Sequence, residues 1–365
     1  MANTEQVNPC LDGLEGVVVA ETRLSDVDGE RGRLVIAGHD VERLAGTVTF
    51  EEVCGLLWGR PAAEVQAAIG RGRAHAFERI PRLGDALSRA DGMDALRATL
   101  GQLVPGGEPI EDAALLTGAT AVFAAGWQRT RAGKALVAPD PARGHAEDYL
   151  RASTGAPPDG SQVRALDAYL ATVSDHGMNA STFAARVVAS TGSDMVSALV
   201  AAVGALKGPL HGGAPGPVLD MLDAVADPER APVWVARELD AGRRIMGMGH
   251  RVYRVRDPRA AVFERQIELL ASSTSAAATG RLALARAIER AAEEALRTRH
   301  PDRPLRANVE FFTAVLLEAV GLPREAFSPT FAVGRVAGWC AHWMEQRSRG
   351  RLIRPASRYV GPAPV

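Results

Sequence analysis

The chain has 365 residues, 47% hydrophobic and 23% charged, with 42 basic residues against 43 acidic ones. That is a globular balance, and a formal net charge of -1 gives no general field to recruit nucleic acid or an anionic membrane surface, so an anionic ligand has to be held by local arginines. At roughly 100 to 200 residues per domain, the length allows two domains, one large and one small.

Export and membrane insertion are not expected. The N-terminal MANTEQVNPCLDGLEG has no basic start followed by an apolar run, and no stretch approaches the roughly 18 apolar residues of a membrane span. Cys10, Cys54 and Cys340 are odd in number and widely spaced, which suggests neither a disulfide framework nor a metal cluster and fits a reducing cytoplasm.

Along the chain, Val17 to Ile36 carries apolar runs on both sides of Asp26-Val27-Asp28-Gly29, where the Asp-Gly step favours a tight reversal, so a small β-hairpin is expected. After Phe50 the sequence is rich in Ala, Leu, Arg and Glu, which favours helices packed on helices. Segments Ala138 to Gly144 and Gly155 to Gly160 read as loops from their Pro, Gly and Asp. Val196, Leu199, Val200, Val203 and Leu206 form one stripe that Gly208 and Pro209 end, placing His211 just past a helix. Arg281 to Arg297 reads as a largely surface helix supported by charge pairs within it. Phe312, Val315, Leu316 and Val320 form a second stripe ending at Gly321, which puts Glu310 near a helix start.

Four strings set ionisable side chains among small residues where a core would take apolar ones: SDHGMNAST from Ser174, GPLHGGA from Gly208, GMGHRVY from Gly247 and ANVEFF from Ala307. The glycines beside His211 and His250 let a ligand approach the backbone closely. Singly, each string has an ordinary reading: a hydrogen-bonded structural histidine, or a carboxylate favourable at a helix start.

Jointly and in this order they resemble the citrate synthase family, over about Gly13 to Gly361. The likeness includes GLEGVVVAETRLSDVDGERGRL, ALDAYLATVSDHGMNASTFAAR, GPLHGGA, GMGHRVYRVRDPRA, NVEFF, FAVGRVAGWCAHWMEQ and RPASRYVG. The resemblance implies a mainly α, two-domain citrate synthase-like fold. Residues 1–212 and 322–365 would form the large domain with the dimer contact, and 213–321 a small domain that closes over CoA.

The resemblance also implies an acyl-CoA:oxaloacetate acyltransferase that condenses acetyl-CoA with oxaloacetate to citrate. Glu310 would be the base that removes the thioester methyl proton, His211 the donor to the enolate oxygen and His250 the donor to the oxaloacetate carbonyl, with glycine N–H groups holding the second nitrogen of His211. Such donors are needed because a carbon acid beside a thioester is weak. Arg259, Arg335 and Arg354, with His176, match the oxaloacetate contacts, since guanidinium groups bind carboxylates in paired hydrogen bonds. Arg354 would reach the neighbouring subunit's site in a homodimer. Arg254 and Arg303 match positions that meet the CoA phosphates, whereas Arg251 and Arg256 read as structural. No metal or separate cofactor is implied, acetyl-CoA being a substrate, and neither is a nucleic-acid or membrane partner.

Three features depart from the family pattern: Glu310 stands for the usual aspartate, Pro215-Gly216 follow the HGGA string, and Val35-Ile36-Ala37-Gly38-His39 replace an aromatic-arginine-glycine-tyrosine string. The alternatives are a 2-methylcitrate synthase using propionyl-CoA and a catalytically silent paralogue that binds oxaloacetate or CoA.

Overall fold

The computed structural model describes residues 13, 14, 16–211, 215–250, 252–273, 276–301 and 305–362. Three antiparallel strands, β1 (Ser25–Asp28), β2 (Arg33–Ile36) and β3 (His39–Asp40), lie in sequence order. The expected hairpin is therefore present, but Asp26 to Asp28 belong to its first strand and not to its turn. Pairing runs from Ser25 opposite Ile36 to Asp28 opposite Arg33. Burial of Leu34 and Ile36 on one face sets that register, since a slip by one residue would turn both to solvent. The reversal falls on residues 29–32, where Asp28 Oδ1 accepts the Arg31 N–H at 3.0 Å.

The rest is helical. A short α1 (Val41–Leu44) leads to α2 (Phe50–Trp58), α3 (Ala62–Arg79), α4 (Gly92–Leu100), α5 (Pro109–Arg131), α6 (His145–Thr154), α7 (Gly160–Val173), α8 (Ala180–Ser190) and α9 (Met195–Leu206). Then follow α10 (Pro215–Val225), α11 (Ala231–Asp240), α12 (Pro258–Ser273), α13 (Ala276–Arg299), α14 (Val309–Ala319) and α15 (Phe327–Arg349). Polar caps fix many of the starts: Thr49 and Glu52 form a capping box on α2, as do Asp159 and Gln162 on α7, while Asn179, Asp194 and Asn308 cap α8, α9 and α14.

Helix α5 is buried on nearly every face from Asp112 to Trp127, as a central core helix must be. It packs against α3, α4, α6 and α15. Helix α15 is buried along most of its length and lies on α5, α7, α8 and α9. Helices α10 to α14 pack largely on one another, with α12 also lying on α1 and α7.

The expected surface helix is α13, but Leu282, Leu284, Ile288, Ala292 and Leu296 bury one face of it. Among the described residues its charges pair with neighbouring segments and not along it: Arg281 with Glu318 of α14, Arg286 with Glu264 of α12, and Glu289 with Arg256 of the turn before α12. A helix that packs on α11, α12 and α14 finds its counter-charges there.

One close approach positions the site. A Cβ built on Gly338 of α15 would lie 2.2 Å from Ser174 O, at the end of α7, so only glycine lets the two helices meet there. Gly338→Ala is expected to cost about 1–3 kcal/mol by overpacking and to lower the urea midpoint of unfolding. An unchanged midpoint would show that this contact does not constrain the fold.

Candidate active site

Helix α7 ends against α15, and the chain turns through Ser174, Asp175 and His176 before α8. Asp175 is fully buried; its Oδ1 accepts the His176 N–H at 2.8 Å and its Oδ2 accepts Ser25 Oγ–H at 2.7 Å. His176 is buried with its Nε2 3.0 Å from Tyr253 Oη. Burial holds its imidazole well below the usual histidine range, and nearby Arg259, Arg335, His250 and His211 push the same way. Four other expected residues, Arg259, Arg335, His250 and His211, thus lie around His176.

His211 sits where the α9 stripe places it, beyond the C-terminus of that helix. Its Nε2 accepts the main-chain N–H of Ser181 at 3.2 Å and lies 2.8 Å from Ser181 Oγ. A nitrogen that accepts an N–H carries no proton, so neutral His211 bears its proton on Nδ1 and presents a donor there. Burial, then the charge of Arg335, lowers its pKa to about 4. Among the described residues this nitrogen is held by the first turn of α8; Gly212 and Gly213, which follow His211, lie outside the described residues.

His250 has the opposite arrangement. Its Nδ1 accepts the N–H groups of Val252 at 3.0 Å and Tyr253 at 3.1 Å, so its proton is on Nε2. Burial and Arg259 bring its pKa to about 4 as well. Its ring stands 5.7 Å from that of His176 and 4.7 Å from that of Tyr253. The preceding Gly247 has φ +74°, and a Cβ there would lie 2.9 Å from the Phe311 ring. That glycine is thus required by a turn and by packing on α14.

The same turn is tied to the start of α14, which carries Glu310. Gly249 N–H donates to Arg306 O at 2.7 Å, Asn308 N–H to Gly247 O at 2.9 Å, and Asn308 Nδ2 to Gly249 O at 2.9 Å. Asn308 Oδ1 in turn accepts the Glu310 N–H at 3.1 Å as the cap of α14. Burial raises the Glu310 carboxyl to about 7, against the opposing pull of Arg259.

Two buried guanidinium groups complete the cluster. Arg259, 3% exposed, is held by Asp257 through Nε at 3.0 Å and Nη2 at 2.7 Å. Arg335, 1% exposed, donates through Nε to Val173 O and lies 4.8 Å over the Phe331 ring. Its Nη2 is buried with no hydrogen-bond partner among the described residues, and burial lowers its pKa to about 10. An unsatisfied buried cationic donor suits an anionic ligand.

Two further expected residues, Arg254 and Arg354, are exposed. Arg254 is half exposed beside Glu30, at 3.9 Å, and Arg354 is exposed on an extended C-terminal tail. Arg303 and Arg251 lie outside the described residues. Arg256 is tied to Glu264 and Glu289 and lies 5.1 Å over Phe312, a structural role as expected. A cavity of about 950 Å³ among Arg33, His39, Arg43 and Arg60 contains none of these residues, so concavity does not locate this chemistry. Sequence reasoning missed Ser181, Tyr253, Asp257 and Asp175 as partners, although all four lie inside the strings that carry the histidines and Arg259.

The family model "Citrate synthase, C-terminal domain" matches residues 13–356. A citrate synthase of Haloferax volcanii is 37% identical over 96% of this chain and 95% of its own length. A putative citrate synthase 2 of Mycobacterium tuberculosis is 39% identical, over 96% and 93%. Among solved structures, the citrate synthase of Thermotoga maritima superposes with a TM-score of 0.84 at 34% identity, covering 97% of this chain and 96% of that one. The Thermoplasma acidophilum citrate synthase, in a ternary complex with carboxymethyl coenzyme A and oxaloacetate, gives 0.83 at 30% identity, covering 97% of both. On sequence over nearly its full length and on fold, the chain belongs to the citrate synthase family.

Proposed function

We propose that this protein condenses acetyl-CoA with oxaloacetate and water to give citrate and free CoA. The observation that carries this reading is the pair of neutral histidines with opposite tautomers beside a buried carboxyl and two buried guanidinium groups. The Thermoplasma acidophilum relative holds oxaloacetate and a CoA analogue together, which supports the same two substrates here.

In this reading Glu310 removes a proton from the thioester methyl while His211 Nδ1–H stabilises the negative charge that builds on the thioester oxygen. The enolate carbon attacks the ketone carbon of oxaloacetate, whose oxygen is polarised by His250 Nε2–H. The resulting citryl thioester is hydrolysed by water, which releases citrate and the CoA thiol. A carboxyl with a pKa of about 7 is well matched to this task near neutral pH, because base strength and ionised fraction are both appreciable. Both histidines act as neutral donors, and their low pKa values prevent protonation.

Arg259, Arg335 and His176 bind the oxaloacetate carboxylates, and Arg354 completes the set from the second subunit of a homodimer. The tail supports that arrangement. Leu352, Tyr359 and Val360 are 57%, 74% and 88% exposed on it, apolar side chains that a partner subunit would cover. Arg254 and Arg303 meet the CoA phosphates. Residues 213–321 act as the small domain, consistent with α10 to α14 packing on one another. It carries Glu310, His250 and Arg259, while His176 and Arg335 belong to the large domain formed by 1–212 and 322–365. Closure then assembles the site only around bound substrate.

The direct test is oxaloacetate-dependent release of CoA thiol by the purified protein, with acetyl-CoA and propionyl-CoA side by side and products identified by mass. Release with acetyl-CoA and formation of citrate is the expected result; a preference for propionyl-CoA would assign 2-methylcitrate, and no release with either would overturn the condensing activity. One methylene is worth only about 1–3 kcal/mol of discrimination, so measurable turnover of both is compatible with either assignment of preference.

Glu310→Gln is expected to lower kcat by about a hundredfold or more and to raise stability above pH 7. The carboxyl is raised from 4.5 to about 7 on folding, so the folded state holds its proton more tightly, and stability falls as pH climbs through that window. Above it the full penalty of a buried carboxylate, on the order of 3 kcal/mol, applies to Glu310 but not to glutamine. Denaturant unfolding of both proteins at about pH 5 and pH 8 measures this, and a Glu310→Gln protein no more stable at the higher pH would contradict it.

A further inference from the structure

We infer that His342 is a positioning residue that ties the oxaloacetate site of its own subunit to the root of the tail bearing Arg354. The inference rests on the reading that Arg354 serves the partner's site. Arg186, His342 and Asp175 are 3%, 0% and 0% exposed, on α8, α15 and the turn after α7. Such a buried polar chain is costly unless every member is satisfied, and this one is satisfied end to end.

Arg186 Nη1 lies 2.9 Å from His342 Nδ1. A guanidinium has donors only, so it forces His342 Nδ1 to accept and places the imidazole proton on Nε2. That proton points at Asp175, whose oxygens lie 3.0 and 3.2 Å from Nε2. Asp175 then accepts the His176 N–H at 2.8 Å, and this fixes the main chain at His176. The charge of Arg186 is balanced by Glu345 Oε2 at 2.7 Å.

From its other edge Arg186 reaches the tail. Its Nε donates to Gln346 Oε1 at 3.0 Å, and Gln346 Nε2 donates to Arg351 O, also at 3.0 Å. Two residues on, Ile353 N–H donates to Ser190 Oγ at 3.1 Å, at the far end of α8. Beyond that point the tail is exposed. Arg354 follows directly on this anchored segment, so its reach is set by how Arg351 and Ile353 are held. The same helix, α8, supplies at its first turn the Ser181 N–H that orients His211. One hydrogen-bonded assembly therefore orients groups in its own site and aims a charge at the other.

A merely structural His342 would affect only the subunit that carries the change, and hybrid dimers separate the two cases. In a hybrid of one Glu310→Gln subunit and one Arg354→Ala subunit, the single competent site combines the body of the second with the tail of the first. Turnover by this hybrid at limiting oxaloacetate well above that of either parent homodimer is expected; its absence would overturn the cross-subunit reading and the inference with it. Adding His342→Gln to the Glu310→Gln subunit leaves the body of the competent site untouched. The oxaloacetate KM of the hybrid should then rise about tenfold, with kcat changed less than about twofold. A KM equal to that of the parent hybrid would overturn the inference while leaving the role of Arg354 standing. Gln346→Leu, which cuts the link only at its tail end, should raise KM in the same hybrid and gives a second reading if His342→Gln does not fold.

Discussion

Main-chain N–H groups decide the protonation of both histidines that face the proposed chemistry. Ser181 N–H occupies Nε2 of His211, and the N–H groups of Val252 and Tyr253 occupy Nδ1 of His250. Imidazole offers one donor and one acceptor when neutral, so each of these contacts leaves a donor on the opposite edge of the ring. Burial and two nearby arginines remove the doubly protonated alternative. Everything else in the site is arranged around two fixed, uncharged donors. The backbone geometry that supplies them comes from the first turn of α8 and from the turn before α12.

That arrangement explains a tension in the cluster. Arg259 and Arg335 are buried close to groups whose charge they suppress, and Arg335 keeps an unpaired nitrogen among the described residues. Unpaired buried charge is costly, and under the proposed function it is a bound dicarboxylate that relieves that cost. Asp257 offsets part of it by holding Arg259 in a two-point pair. Glu310, the proposed base, bears a related strain, since the burial that raises its pKa also disfavours its ionised form.

Much of this was legible in the sequence because it is local. The α9 stripe and its Gly-Pro stop place His211 correctly, and the α14 stripe places Glu310 at a helix start. The helical class follows from composition, and the hairpin from its flanking apolar runs. Properties that depend on distant residues were not legible. The strand register depends on which of Leu34 and Ile36 finds a core, and the charges of α13 pair with helices that sequence order does not reveal as neighbours. Likewise the holder of His211 is Ser181, thirty positions earlier, and the Asp175–His342 pair spans 167 positions. The glycines of the His250 string read as room for a ligand, whereas Gly247 admits Phe311; Gly338, which admits the end of α7, carries no local signal of that contact.

Nitrogen-resolved NMR of the protein labelled in its histidine rings tests the tautomer assignment directly. At about pH 6, well above the values of about 4 for both residues, His211 should carry its single proton on Nδ1 and His250 its single proton on Nε2. Either ring protonated on both nitrogens at that pH, or both rings in the same tautomer, would contradict the account.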